Sequence, residues 1–556
     1  MQGRNLKKML SNYSDILSYN CTEVQHLPKS PNNSEKFLYV RRNILFFYIS
    51  SLVSFITLSA SLFLFFYHHI DSRILIPFYS VSFISVLISL INLIGTKNFD
   101  LNHHKKIVKI YRKLRQPNVD IFLPNCGEDI AVLENTWNGV RDLKNSYSGK
   151  IVVYCLDDAN REEVKVLSKK FGFKYYSRPN RGQGKKAGNL QFGFSVSRSK
   201  YIVIFDADFK PNKIFLDELM PYLESNNNVG IVQSPQYFDI KLSQGWLERG
   251  AGSVQEFFYR SIQVSRMSHN ASICVGSNAI YRRKALKKSG GFAQIEHSED
   301  VHTGFNMNIH GYHLQYVPVI VAKGLCPSDM QAFFKQQYRW CAGSLSLIFS
   351  QKFWSKKMKF QERLSYLSGF FYYLSTALSV ISTPIIPLMM ILIYPNEIKL
   401  FNYLLILPTI FFSQIVYPLW HKSRYSIEAW SVRNIYGWAH LFAFYDNLFG
   451  SQMAWQPTGS KIKKDTKFVV FRLLQVILNL FPGIVWVVAS FNRAIIDRDF
   501  QYLPLLFSGL FYMLVISKIS FYNFGNLKNR IKIYNFNYIR ALTKNLIKAP
   551  VRIFNN

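Results

Sequence analysis

Residues 200–208 read KYIVIFDAD, an apolar, β-rich run that ends in two carboxylates one residue apart. Three runs of the same kind accompany it: VDIFLP at 119–124, KIVVYCLDD at 150–158 and GIVQSP at 230–235. Helical patterns fill the gaps, at 130–143, 161–171 and 188–197. Strands that alternate with helices build a mostly parallel sheet covered on both faces, and such sheets bind ligands at the carboxyl ends of their strands. Two of the runs end in acid there, at Asp157-Asp158 and at Asp206-Ala207-Asp208. The sequence therefore predicts a Rossmann-like α/β domain over residues 96–360, with its chemistry at the strand ends.

Outward from this domain the chain turns apolar. Residues 44–67 and 74–95 carry no charge, and each exceeds the roughly 18–20 residues that cross a bilayer. The first run begins too far from Met1 for a cleaved signal peptide. Hydropathy rises again at 367–394, 400–420, 468–491 and 500–521, which makes six spans; Pro384, Pro387, Pro408, Pro482 and Pro504 lie within these later runs and are tolerated in membrane helices. With both termini cytosolic, the outer loops hold Arg73, Lys399, Arg493 and Arg498 against Asp71, Glu397, Asp497 and Asp499, which cancel. The net charge of +34, from 67 Lys+Arg and 33 Asp+Glu, then lies almost wholly inside, as the positive-inside rule expects. Basic segments in residues 1–43 and 522–556 suit anionic headgroups of the lipid bilayer. The spans account for the charge without a nucleic acid partner. An apolar content of 49% with 18% charged residues excludes a disordered chain. The six cysteines are scattered without a CxxC pair, which argues against a zinc ribbon or a disulfide framework.

The motifs carry the chemistry. Asp206 and Asp208 can share a hard divalent cation, since Mg²⁺ takes one or two protein carboxylates plus substrate phosphates; a DxD alone is often a solvated turn, a reading that its place at the end of a buried strand disfavours. Asp157 can accept from a ribose hydroxyl or a base N–H, and Asp158 fits a helix N-cap. The loop RPNRGQGKKAGN (178–189) is Gly-rich and basic, suited to a phosphate or simply solvated, and lacks the GxxxxGK[ST] of a P-loop. Glu299-Asp300, in HSEDVHTGF, offers a general base or a helix cap. In QQYRW (336–340), within an amphipathic segment at 330–353, Arg339 offers a fork for a diphosphate and Trp340 a flat face for a sugar ring. The same two residues would also serve an interfacial helix.

A sheet with a strand-end DxD, a later ED and then QxxRW, set before a membrane bundle, resembles the membrane-embedded processive family 2 glycosyltransferases. That group includes bacterial cellulose synthase, hyaluronan synthase and chitin synthase, and the resemblance covers residues 42–521. It implies a cytosolic GT-A-like domain (96–360) inserted in an α-helical bundle of about six spans with amphipathic interface helices. Two spans precede the domain (44–95) and four follow it (361–521). It implies transfer of a sugar from a UDP-sugar donor to the non-reducing end of a growing glycan acceptor, with inversion. The polymer, a capsule or exopolysaccharide, would leave through the bundle across a bacterial plasma membrane. By this resemblance, Glu128 in segment 124–128 and Asp157 hold uridine, and Lys186 reaches the nucleotide. Asp208, aided by Asp206, holds Mg²⁺ or Mn²⁺ on the diphosphate. Asp300, next to Glu299, is the general base. Gln336 and Arg339 bind the diphosphate, Trp340 stacks under the acceptor sugar, and Ser277 in VGSN lies beside it. Glucose is the expected sugar; N-acetylglucosamine or alternating sugars are used within the same group.

The chain also departs from the group. Its first strand ends NCGE where Thr-Tyr-Asn-Glu is more usual. An amphipathic helix at 424–450 leads into AWQPTGSKIKK, loosely similar to a gating loop within 424–467, where Thr458 and Lys461 would contact nucleotide. The tail at 522–556 is too short for a cyclic-di-GMP-binding domain and lacks its Arg-rich motif. A non-processive glycolipid-forming transferase would share the soluble motifs. A transporter would leave three carboxylate motifs unexplained, and the first two spans lack the ionisable residues such proteins carry.

Overall fold

A computed structural model describes residues 26–40, 44–95, 99–450 and 466–522. The four apolar runs form strands β1 (Val119–Asn125), β2 (Ile151–Asp157), β4 (Tyr201–Ile204) and β6 (Val229–Gln233), with β3 (Lys174–Tyr176) between β2 and β4 in sequence. With β8 (Ala279–Arg282) and β9 (His313–Tyr316) they make a seven-stranded sheet in the order β3-β2-β1-β4-β8-β6-β9. All neighbours are parallel except β8, which runs antiparallel to both β4 and β6. A small second sheet joins β5 (Phe209–Pro211), β7 (Tyr237–Phe238) and β10 (Ala322–Gly324). The fold is thus the expected α/β domain, with one reversed strand that the apolar runs did not announce.

Alternation along the strands sorts side chains to two faces. Ile121, Leu123, Val153, Cys155, Val203 and Phe205 point to one face, into a core closed by the helices Ile130–Ser146, Glu162–Phe171 and Phe215–Ser225. Phe122, Tyr154, Leu156, Ile202 and Ile204 point to the other. That second core is continuous with Val432, Trp438 and Val380 of two bundle helices, Ile427–Phe449 and Phe360–Leu392. Burying each such aliphatic side chain contributes roughly 1.5–3 kcal/mol, so the continuity fixes the sheet on the bundle.

Among the described residues, four helices are long and apolar enough to cross a membrane: Ile44–His68, Phe360–Leu392, Thr466–Ile496 and Phe500–Ser520. Ile76–Ile94, 19 residues, packs between the first two, and Ser51 bonds Ser89 across the pair at 2.8 Å. The fourth expected span, at 400–420, is a chain of short pieces, Leu400–Leu405, Leu407–Phe411, Phe412–Val416 and Tyr417–Trp420, of 3-10, α and π form. Pro408 and Pro418 head two of these pieces, and each removes an amide donor that a continuous helix would need. Six spans is therefore not the count by length and apolarity among the described residues. Loops 68–73 and 395–399 meet: Tyr394 bonds Asp71, and His69 lies 3.5 Å from Glu397. The helix Ile427–Phe449 is packed by Met330–Ile348, Phe360–Leu392, Trp246–Phe257 and Leu503–Ser520.

Residues 26–40, expected as part of a cytosolic N-terminal segment, lie on the α/β domain. Lys36 pairs with Glu218 at 2.6 Å, Lys323 with Glu35 at 2.7 Å, and the Ile320 amide donates to the Lys36 carbonyl at 2.9 Å. Asn135 and Asn212 donate to the carbonyls of Pro28 and Pro31.

Candidate active site

The carboxyl end of β4 sets the first group. β8 runs past it in reverse, so the Asn278 amide bonds the Ile204 carbonyl at 3.0 Å and the preceding VGSN turn faces the DxD. Ser277 is fully buried and its hydroxyl accepts the Asp206 amide at 2.9 Å. Thr136 donates to the Ala207 carbonyl at 2.7 Å. The DxD backbone is thereby held from two sides.

The Gly-rich loop closes over β2. Arg178 binds both oxygens of Asp158, at 2.6 and 2.8 Å, and the Gly182 amide adds a third bond at 3.1 Å. Gly188 leaves room for that guanidinium, since a Cβ there would stand 2.4 Å from its Nη1. The helix Lys185–Val196 then begins, and Lys186 reaches across to Asp206 at 2.5 Å and to the Gly276 carbonyl at 3.1 Å, with Glu299 at 3.8 Å. Burial alone would push the Lys186 ammonium down, but Asp206 and Glu299 outweigh it and hold it up.

The third group comes from the helix Glu299–Ile309, whose N-cap Ser298 sits at φ 57°. Gly343 of the helix Met330–Ile348 allows Ser298 to dock, because a Cβ there would fall 1.7 Å from the serine hydroxyl. This close approach brings Glu299 and Asp300 to the helix that carries Gln336, Arg339 and Trp340. Asp300 packs on Gly276 (φ +73°), and its Oδ1 accepts the Val301 amide at 2.8 Å.

One cavity of about 520 Å³ is lined by Glu128, Lys186, Asp206, Asp208, Glu299, Asp300, Gln336, Arg339 and Trp340. It continues between bundle helices past Asn92, Tyr372, Tyr373 and Tyr436. The expected residues that come together are these nine. Asp157 and Ser277 are not among the lining residues. Asp157 spends its oxygens on the Ala159 and Arg161 amides and the Tyr175 hydroxyl, while Asp158, paired with Arg178, is the one that lines the cavity. Thr458 and Lys461 lie outside the described residues. Two lining groups went unread in the sequence. Gln337 is buried and its Nε2 has no hydrogen-bond partner, and the Nδ1 of His297 has none. The paired glutamines of QQYRW were the available signal for the first.

The electrostatics are those of an acidic cluster short of positive charge. Burial, then the Asp206 charge, pushes Asp208 up to about 7. Burial, then Glu299, raises Asp300 well above the ordinary carboxylate range, with Lys186 pulling back. Glu299 and Glu128 are raised by burial as well. Burial pulls Arg339 down to about 10, with Glu299 drawing it back up. Among the described residues no group of three or more His, Cys, Asp or Glu side chains gathers as a metal cage. The DxD instead offers two carboxylates whose charge is under-compensated in the protein. That donor set fits a divalent cation completed by substrate phosphates.

Residues 201–416 match the sequence profile described as glycosyl transferase family group 2. Over those residues the chain is similar to the family 2 glycosyltransferases. The cellulose synthase 1 catalytic subunit (UDP-forming) of Komagataeibacter xylinus is 31% identical over 260 residues, 46% of this chain and 34% of that protein. The UDP-forming cellulose synthase catalytic subunit of Xanthomonas axonopodis pv. citri is 30% identical over 266 residues, 46% of this chain and 36% of that protein. The glycosyltransferase match thus spans little more than a third of each relative. A solved Pyrobaculum calidifontis mannosyltransferase, in complex with GDP-mannose and Mn²⁺, superposes at a TM-score of 0.44 with 15% identity, over 66% of this chain and 100% of that one.

Proposed function

We propose that the chain is a processive, inverting glycosyltransferase that polymerises a UDP-sugar, glucose first among them, and passes the β-linked product into its own helix bundle. The observation that carries this reading is the single cavity, which joins the DxD, Asp300, Arg339 and Trp340 and runs on between the bundle helices. The UDP-forming cellulose synthases that match the domain support the donor class.

Each residue then has a task. The end of β1, through Glu128, and the Asp158–Arg178 pair border the nucleoside, and Asp157 fixes the turn beneath it. Asp206 and Asp208 would hold Mg²⁺ or Mn²⁺, which when bound supplies positive charge against the departing diphosphate. Lys186 and Arg339 add donors to that charge, and Gln336 stands beside them. Trp340 presents its face to the acceptor sugar. Asp300 takes the proton of the acceptor hydroxyl as that oxygen attacks the anomeric carbon. The bond from that carbon to the diphosphate breaks, and its electron pair leaves with UDP. A base with a raised affinity for protons suits a weakly acidic hydroxyl. Ser277 acts through the Asp206 backbone rather than on the sugar. With the charge distribution of its loops, the domain faces the cytosol.

The test uses the full chain in detergent with Mg²⁺ or Mn²⁺ and a panel of labelled UDP-sugars, counting label in polymer and free UDP together. Polymer from one donor is the expected result and names the sugar. UDP release with only a discrete glycolipid would overturn processivity, and no turnover of any UDP-sugar would overturn the donor class.

A further inference from the structure

Among the described residues, the fully buried arginines other than Arg266 are matched. Arg178 sits on Asp158, Arg260 on Glu256 at 2.7 Å, and Arg282 on the carbonyls of Val229 and Asn226. Arg266 is the exception. It is 6% exposed, its Nε has no hydrogen-bond partner, and no carboxylate acts on it, the titratable groups near enough to matter being Tyr373 and Tyr366. Burial pulls its guanidinium below the ordinary arginine value. A desolvated guanidinium without a partner costs several kcal/mol, so a folded protein that keeps one has a partner to offer from outside.

The surroundings are shaped for it. Arg266 belongs to the short helix Gln263–Met267, just after a π turn over Phe258–Ile262. Its guanidinium lies against the helix Phe360–Leu392 at Gly369, where an added Cβ would stand 2.6 Å from Nη2. Arg266, Ser368, Gly369 and Tyr372 all line the active cavity, together with Asn92 of a membrane helix. Lys186 and Arg339 already serve the carboxylate cluster, where the diphosphate belongs. Arg266 stands instead among bundle residues, where the acceptor would run.

We propose that Arg266 is a specificity contact for the acceptor glycan, its guanidinium gripping a pair of oxygens on one sugar residue as the glycan passes from the carboxylate cluster to the bundle. This rests on the polymerase reading above. A guanidinium fork matches two oxygens side by side, and either adjacent hydroxyls or the carboxylate of a uronic acid presents them.

The test is equilibrium binding of two probes, cellohexaose and an oligoglucuronate, to the full chain in detergent with UDP and Mg²⁺ present. Arg266→Met is expected to weaken at least one probe about tenfold while UDP binding is unchanged. Arg266→Lys, which keeps the charge but not the fork, should fall between. Gly369→Ala, which keeps the arginine but displaces its head, should weaken the same probe. A larger loss for the oligoglucuronate, steep in salt, assigns a carboxylate; a salt-independent loss for cellohexaose assigns hydroxyls. Binding of both probes within twofold of wild type in Arg266→Met, an equal loss of UDP binding, or a wild type that binds neither probe would overturn the inference. Oligosaccharide binding that depends on Arg266, in a protein that turns over no UDP-sugar, would sink the polymerase reading and leave this contact standing.

Discussion

Two sets of carboxylates, Glu218 beneath residues 26–40 and Asp208 with Asp300 in the cavity wall, behave in opposite ways. Glu218 receives Lys36 at 2.6 Å, His104 at 2.9 Å and Arg112 at 3.4 Å. Burial pushes it up, but the bonds from His104 and Lys36 outweigh burial and leave it below the ordinary glutamate value. Asp208 and Asp300 are half-buried in the cavity wall, where Lys186 and, through Glu299, Arg339 face their cluster, and both are raised. Burial alone does not mark a functional acid. The difference is whether the protein completes the charge itself or leaves it for a substrate and a cation.

The comparison can be broken most severely at Asp300. Asp300→Asn is expected to lower transfer about 10²–10⁴-fold, the range a general base supplies, with UDP binding kept. Loss of UDP binding in that variant would make Asp300 a ligand instead. Asp208→Asn should weaken metal-dependent UDP binding at least tenfold or so, since even an outer-sphere partner of a metal is worth about that much. Titrating UDP with and without Mg²⁺ reads this directly.

Acid separates the two regions. Asp300 must be unprotonated to act and its affinity for protons is raised, so the rate should fall as pH drops from about neutral, above the ordinary carboxylate range near pH 4. Folding responds in the other direction. Asp208 and Asp300, raised in the fold, oppose folding least in acid. Glu218, lowered in the fold, contributes stability above the unfolded carboxylate value and loses it as pH falls through its own lower one. Activity should therefore fail while the melting temperature still holds. Simultaneous loss of both would count against the assignment.

Two smaller effects sharpen it. Ser277→Ala strands the Asp206 amide, which costs about 1–3 kcal/mol, and should slow transfer far less than Asp300→Asn does. Glu218→Gln should leave the rate of the folded enzyme unchanged. It removes one side of a buried pair, a loss of about 3–5 kcal/mol that a thermal melt would register.

Much of this was legible in the sequence. β1, β2, β4 and β6 are apolar runs, and the acidic ends of β2 and β4 named the site. β3, β5, β7, β8, β9 and β10 were not, because two to four residues carry no periodicity; β4 is as short, but its apolar run continues through Phe205 into the DxD. The reversed β8 therefore came as new information, and with it the reason VGSN faces the DxD. At Asp157-Asp158 the residue that faces the cavity is the second, a matter of strand phase at a chain turn that no motif records. Ser298 against Gly343, which joins the ED motif to the QxxRW helix, joins residues 45 positions apart, a pairing no local pattern records. Arg266 has no motif at all; only the absence of a partner marks it.

The strap of residues 26–40 has a practical consequence for anyone who would cut this protein. A soluble fragment begun after the second apolar helix would discard Lys36, Glu35 and the carbonyls of Pro28 and Pro31. Glu218, Lys323, Asn135 and Asn212 would each lose a partner on the domain's own surface. The folding unit is discontinuous in the gene, and an expression fragment with residues 26–40 grafted back through a flexible tether is the one to make first.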